Sequence, residues 1–397
     1  MKAPEGNARQ RLPFLNGVYV ATDAVAGAYL VVDGPYCASN KAEMQYSHNF
    51  ASRLLTHFSH NRVVHTGEIE LREEVQNLST DRAAHVSAVF SKVCALPDAK
   101  IVFATSFDFH ELTAFPLKEI ARRHDEAGSA LVCDIPSRSL GGTWLDGYAG
   151  ACLALARRVN LRPGRGAADA VAVVGHLQDR DEPDNAGNLR ELRGLLGALG
   201  LRVVSVWLSG GGRAELEAAQ RAGLVVSLPY AREAARVVAK RLKAGLCEVD
   251  LPVGLAATER FLRRVGARVG RAARARSFAD RESAAAVRDT EGHVSRVIAG
   301  RAADIRQDDP ALAARLRELC SELGLTDPGA HGPPRDGRLL CLAPTSGGPK
   351  PPGVHVPIGY PNYLEHPVVE RPSFGYAGFR HLVDRIAAAI LRGEVPA

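Results

Sequence analysis

The sequence predicts an α/β protein of three doubly wound, Rossmann-like domains built on parallel sheets. Short apolar runs rich in β-branched residues recur along the chain, as strands buried on both faces of a parallel sheet require. Amphipathic helical stretches separate these runs, and that alternation is the pattern of a doubly wound sheet. Gly/Pro-rich connectors then divide the chain.

Taken in order, Tyr29-Leu-Val-Val-Asp33 is the first run, and Gly34-Pro35 ends it. Ile101-Val-Phe-Ala-Thr105 and Ala130-Leu-Val-Cys-Asp134 continue the first group. Leu161-Arg-Pro-Gly-Arg-Gly-Ala-Ala-Asp169 is a connector, and the strand Val171-Ala-Val-Val-Gly175 follows it. From Asn188 to Leu199, leucines 189, 192, 195, 196 and 199 fall on one helix face, with Gly200 as the stop. Val203-Val-Ser-Val-Trp207 is the next strand, Ala231 to Leu242 repeats the helical design, and Leu251-Pro-Val-Gly254 closes this unit. The expected domains are residues 1–165, 166–262 and 263–397. Thr326 to Arg335 and Pro344 to Gly353 make the third loop-rich, and an apolar helix ends it.

With 397 residues, 46% hydrophobic and 24% charged, wholesale disorder is excluded. The net charge of +6 is mildly basic. No apolar run approaches the roughly 20 residues of a membrane span, and Met1 to Arg11 lacks the apolar stretch of a signal peptide, so a cytoplasmic protein is expected. The seven cysteines form no CxxC pair, which argues against a disulfide framework. Seven arginines between Arg260 and Arg276 read as a solvated, salt-bridging face rather than a nucleic-acid site, since only Phe261 and Phe278 could supply aromatic stacking.

GxGxxG after a strand, the GxxxxGK[ST] loop, HExxH and GxSxG are all missing. Ser209-Gly-Gly-Gly-Arg213 follows a strand but reads as a turn. Cys37 sits just beyond the first strand, at the edge where α/β sheets bind ligands. Two readings of it stand at this level: a small buried hydrophobe or a metal ligand.

Four blocks, in order, resemble the nitrogenase component 1 family, which includes the molybdenum-iron protein subunits and those of dark-operative protochlorophyllide reductase and chlorophyllide oxidoreductase. The first is Gly17 to Cys37, similar to a strand ending in His/Asp-Gly-Pro-x-Gly-Cys. The second runs from Val102-Phe-Ala-Thr-Ser106 through Asp134 and Ser137 to Gly147-Tyr148, similar to the family's Thr-Thr-Cys segment and the glycine-rich stretch after it. The third joins Val173-Val-Gly175, the Asn188 helix and Leu251-Pro-Val-Gly-Leu-Ala-Ala-Thr-Glu-Arg-Phe-Leu262. The fourth is Pro357-Ile-Gly-Tyr-Pro361 with Glu370-Arg-Pro-Ser-Phe-Gly-Tyr-Ala-Gly378.

The resemblance implies a nitrogenase component 1-like fold and an iron-sulfur cluster held between two subunits. Thiolates suit such a cluster because they are soft, anionic ligands. It also implies a homologous, cysteine-rich sister subunit in a heterodimer or heterotetramer, and a separate iron protein through which alone ATP acts. Gly34, Pro35, Cys37 and Ser106 match the cluster-side positions, with Cys37 the metal ligand. The departures are informative. Ala104-Thr105-Ser106 replaces Thr-Thr-Cys, no cysteine precedes Cys37, and one residue is missing between Pro35 and Cys37. By analogy with the protochlorophyllide reductase subunit that gives a single aspartate, Cys37 is expected to be a lone ligand to a shared 4Fe-4S cluster. The places that hold the molybdenum cofactor in the nitrogenase catalytic subunit match Pro229 and Phe374, which cannot bind metal.

Tyr36, His48 and Asp108 are expected beside the same crevice, and two readings stand for each: a proton donor to a reduced substrate, or a core or hydrogen-bonding residue. His48, His57, His60 and His65 crowd into a short stretch, either as a metal site or as ordinary surface histidines. Cys94, Cys133 and Cys152 read as core. The function so implied is a subunit of a two-component oxidoreductase reducing an unsaturated, tetrapyrrole-like substrate. The rival is a non-catalytic scaffold or assembly protein for a cluster, or a metal-free homologue.

Overall fold

The computed structural model describes residues 12–34, 62–67, 82–107, 114–138, 140–164, 166–327, 339–345, 353–362 and 365–393. Three parallel sheets organise these residues. In the first, β1 (Ala28–Asp33), β2 (Val63–His65), β3 (Ile101–Ser106) and β4 (Leu131–Asp134) lie in the order β2-β1-β3-β4. Helix α1 (Phe14–Asp23) precedes this sheet; α2 (Arg82–Cys94) and α3 (Leu117–Ala127) lie within it in sequence, and α4 (Trp144–Arg158) follows.

Side-chain alternation explains why the strands are apolar up to their carboxyl ends. Tyr29, Val31, Val102 and Ala104 face the α2–α3 core, whereas Leu30, Val32, Ile101 and Phe103 face α1 and α4. Each face is covered, so the body of β1 and β3 is apolar, and polar residues enter only at the carboxyl ends, as Asp33, Thr105 and Ser106.

The middle sheet has the order β6-β5-β7-β8, from β5 (Ala167–Val174), β6 (Arg202–Val206), β7 (Ala222–Ser227) and β8 (Gly245–Glu248). Helices α5 (Pro183–Ala198), α6 (Arg213–Glu217) and α7 (Arg232–Leu242) connect these strands. Helix α5 begins earlier than the leucine pattern predicts, because Pro183 opens its first turn with φ preset for a helix. Gly200 follows it with φ of 72°, the left-handed stop expected from the sequence.

Helices α8 (Leu255–Arg268) and α9 (Ala272–His293) lead to the third sheet, β11-β10-β9, formed by β9 (Ala302–Ile305), β10 (Leu339–Thr345) and β11 (Val354–Asn362). Helix α10 (Pro310–Glu322) follows β9, and α11 (Gly375–Gly393) is the terminal helix. One core joins α1, α4 and α7 between the first and middle sheets; another joins α5, α8 and α11 between the middle and third. Two arginines of the basic run serve this packing: Arg271 and Arg274 donate to the carbonyls of Leu199 and Ala198, the open end of α5. Arg260 and Arg263 pair with Glu318 and Glu259, the salt-bridging role expected of the run.

Asp309 caps α10, accepting from the amides of Ala311 at 2.9 Å and Leu312 at 3.1 Å while also receiving the Tyr230 hydroxyl. Replacing it with alanine should cost about 1–2 kcal/mol in urea unfolding, whereas asparagine, an equivalent cap, should cost much less. No helix among the described residues is long and apolar enough to cross a membrane.

Candidate functional site

In a doubly wound sheet, ligands bind beyond the carboxyl ends of the strands where the winding reverses. In the first sheet that point lies between β1 and β3, whose last residues, Asp33 and Ser106, are register partners. A crevice of about 300 Å³ opens there, lined by Asp33, Ser106, Phe115, Lys118, Asp134 and Pro136 among others.

Gly34 continues β1 into this edge; its amide donates to Thr66 Oγ1 at 3.3 Å, and Phe107 packs where a side chain would begin. Asp33 is fully buried, pairs with Arg82 and accepts from Thr66 Oγ1 at 2.8 Å. Arg82 also lies over the Phe115 ring, 5.2 Å from its centroid. Ser106 lines the crevice, and Gly34 follows Asp33 at its edge. Pro35, Tyr36, Cys37, His48 and Asp108 lie outside the described residues.

His57 and His60 also lie outside them, and His65 is buried on β2 with Nε2 3.2 Å from the Tyr19 hydroxyl. Burial pushes its imidazole down to about 4, so the ring is neutral at physiological pH. The six described cysteines are all buried, which agrees with the core reading of Cys94, Cys133 and Cys152. Burial pushes the Cys133 and Cys320 thiols up to about 12, so neither offers a thiolate. No group of three or more His, Cys, Asp or Glu able to hold a metal occurs among the described residues.

The middle sheet reverses between β5 and β7, and a second cavity of about 110 Å³ lies beyond that point, where the middle and third sheets meet. Sequence reasoning missed it. The loop after β5 turns at Gly175 with φ of 90°, where a methyl would lie 2.5 Å from the Leu228 carbonyl oxygen and 2.9 Å from the Ala231 amide nitrogen, so a larger residue is excluded. That loop buries Arg180 and Glu182 and half-buries Asp179 and Asp184, leaving Asp181 exposed, although the composition reads as a solvated turn. Arg180, 6% exposed, donates to Asp184 at 2.8 Å, to Asp179 at 3.3 Å and to the Asn362 carbonyl at 3.2 Å. Burial raises the Asp184 carboxyl to about 6 although Arg180 pulls it down. Trp144 and Tyr360, with ring centroids 4.6 Å apart, form an apolar wall together with Leu312, Ile358 and Phe374. The available signal was an acidic run immediately after a strand, on the ligand-binding edge of its sheet.

The family model that matches the chain is described as nitrogenase component 1 type oxidoreductase, and it matches residues 14–338. Among solved structures, one described as "Nitrogenase Cp1 at pH 6.5" superposes with a TM-score of 0.78 at 15% identity, covering 98% of this chain and 95% of that one. Another, "Nitrogenase Cp1 at pH 5", gives a TM-score of 0.61 at 10% identity, covering 97% of this chain and 79% of that one. At such identities the superpositions establish the fold. No curated protein matches the chain.

Proposed function

The chain belongs to the nitrogenase component 1 type oxidoreductases, and from that premise we propose that it is the thiol-poor subunit of a two-component reductase. The observation that carries the proposal is the crevice between β1 and β3: its walls are ordered around Asp33 and Ser106, and Gly34 leads from it directly into the segment bearing Cys37. The described residues do not fit a complete iron-sulfur cluster, since they supply no ligand group and their cysteines are buried. Cys37 is the remaining thiol of this chain, so a 4Fe-4S cluster would be shared, with most ligands from a homologous, cysteine-rich sister subunit. Electrons would reach that partnership from an ATP-dependent iron protein in the cytoplasm. Tyr36, His48 and Asp108 are proposed proton donors for reduction of an unsaturated substrate. A tetrapyrrole-like substrate would have to bind outside the central cavity, whose volume of about 110 Å³ is far below the roughly 300–1,000 Å³ of drug-sized ligand pockets.

The test is co-expression with the sister subunit, anaerobic purification, iron and sulfide analysis, and EPR of the reduced complex. The wild-type complex should carry a cluster, and Cys37→Ala should lower its iron content and alter the signal. Unchanged cluster content in Cys37→Ala would remove Cys37 from the ligand set, and a metal-free wild-type complex would end the reductase reading.

A further inference from the structure

We propose that Arg82 is a positioning residue for the shared cluster: paired with the buried Asp33, it fixes the junction from which the segment bearing Cys37 leaves the first sheet. This deepens the reductase reading by naming what anchors the start of the ligand's segment, and it rests on that reading for the cluster itself.

The junction gathers three chain ends. Residues 35–61 depart from Gly34, while residues 68–81 depart from Gly67 and return at Arg82. Hydrogen bonds join these ends directly. Thr66 Oγ1 donates to Asp33 at 2.8 Å and accepts the Gly34 amide at 3.3 Å. The Thr66 amide donates to the Val32 carbonyl at 3.0 Å, and the Gly67 amide to the Gly34 carbonyl at 3.2 Å. Helix α2 closes the group from its own side: Arg82 pairs with Asp33, and one turn later His85 Nε2 lies 3.0 Å from the Thr66 carbonyl oxygen. From the end of β3, the Phe107 amide donates to the Asp33 carbonyl at 3.2 Å.

The Asp33 side chain is 0% exposed. A buried ion pair adds little stability over apolar residues of the same shape, so stability alone does not account for a carboxylate there. What the pair supplies is geometry. A guanidinium and a carboxylate satisfy each other only over a narrow range of orientations, and this pair sets β1, β2 and α2 against one another where the ligand edge of the sheet begins. Arg82 also reaches the crevice, since its guanidinium lies over Phe115, a residue of the lining. Cys37 follows Gly34 by three positions, and three residues span at most about 11 Å of chain. A shift of the junction is therefore passed on to the thiol.

Hydrogen exchange of the full-length chain, with metal analysis and EPR of its complex with the sister subunit, tests this. In Arg82→Met the amides of Gly34, Gly67 and Phe107 should exchange at least tenfold faster, the worth of a charged hydrogen bond, while those of β5 and β7 keep their wild-type rates. The complex of that variant should lose most of its iron and the wild-type EPR signal. Arg82→Lys keeps the charge without the planar fork and should restore both in part. Adding Asp33→Asn to Arg82→Met removes the stranded charge and keeps an acceptor for Thr66, so stability in urea should recover while iron and signal do not. Where the wild-type complex holds a cluster, unchanged iron and signal in Arg82→Met would overturn the proposal, and so would unchanged exchange at the three amides. Recovery of the cluster together with stability in the double variant would overturn it too, by making Arg82 a neutraliser of Asp33 alone. A metal-free wild-type complex is a separate failure, which ends the reductase reading and this proposal with it.

Discussion

Gly17→Ala should destabilise the protein by about 3 kcal/mol or more, placing it among the severe single substitutions. Helices α1 and α4 cross with their backbones touching. A methyl at Gly17 would overlap the Trp144 carbonyl oxygen and lie 2.6 Å from its carbon and 2.7 Å from the Tyr148 amide nitrogen. Gly147 is the reciprocal contact, where a methyl would overlap the Phe14 carbonyl oxygen and lie 3.1 Å from the Val18 amide nitrogen. Backbone cannot rotate aside as a side chain can, so relief requires the helices to separate. Separation would open the core shared by the first and middle sheets and shift Trp144, a wall of the central cavity. Gly147→Ala should behave like Gly17→Ala. Gly194, inside α5 with nothing within 4 Å of an added methyl, is the control. There alanine should stabilise by about 0.5–1 kcal/mol, because glycine is a poor helix former. Urea unfolding of the three variants checks the contrast, and a mild effect at Gly17 would mean that the crossing yields.

The same contrast shows what the sequence makes legible. The parallel sheets are readable because the central residues of β1, β3 and β5 are buried on both faces and apolar. Gly17 and Gly147 are readable only as members of resembling blocks, since their partners lie across a helix crossing. The basic run shows the limit more sharply. Arg271 and Arg274 cap α5 across more than seventy residues of chain, as the sequence separations of 72 and 76 record. No local pattern signals that contact.

The edge of the first crevice was legible because a strand end followed by Gly-Pro is a local feature, and Ser106, singled out through its matching block, lines that crevice. The central cavity was not. Its wall is assembled from the loop after β5, Tyr230, Asp309, the end of β11 and Arg385, and each piece alone looks like an ordinary turn or surface charge. Only tertiary packing buries Arg180 and Glu182 within that run and draws Asp179 and Asp184 into their network.

Arg180 is the residue on which that network depends most, and Arg180→Met should cost about 3–5 kcal/mol at neutral pH, the range for removing one partner of a buried charge set. Methionine fills similar space, so the loss is electrostatic. Asp179 and Asp184 would keep their positions without their shared guanidinium, and the Asn362 carbonyl would lose its donor. The penalty should depend on pH with a definite sign. The Asp184 carboxyl is raised in the folded chain to about 6, above the roughly 3.9 of an unfolded aspartate. Its titration therefore favours folding most below about pH 4, and that contribution is lost as pH rises through about 6. Arg180 is what restrains the shift, so without it the carboxyl rises further and the folded state tolerates its ionised form less. The cost of Arg180→Met should then be large near pH 7.5 and smaller near pH 5, where Asp184 is protonated. Adding Asp184→Asn to Arg180→Met should recover part of the neutral-pH loss, giving a double-mutant coupling of about 1 kcal/mol or more for groups in direct contact. Urea titrations of the four variants at both pH values measure this; equal penalties at the two pH values would show that Arg180 acts through packing and the Asn362 carbonyl instead of through Asp184.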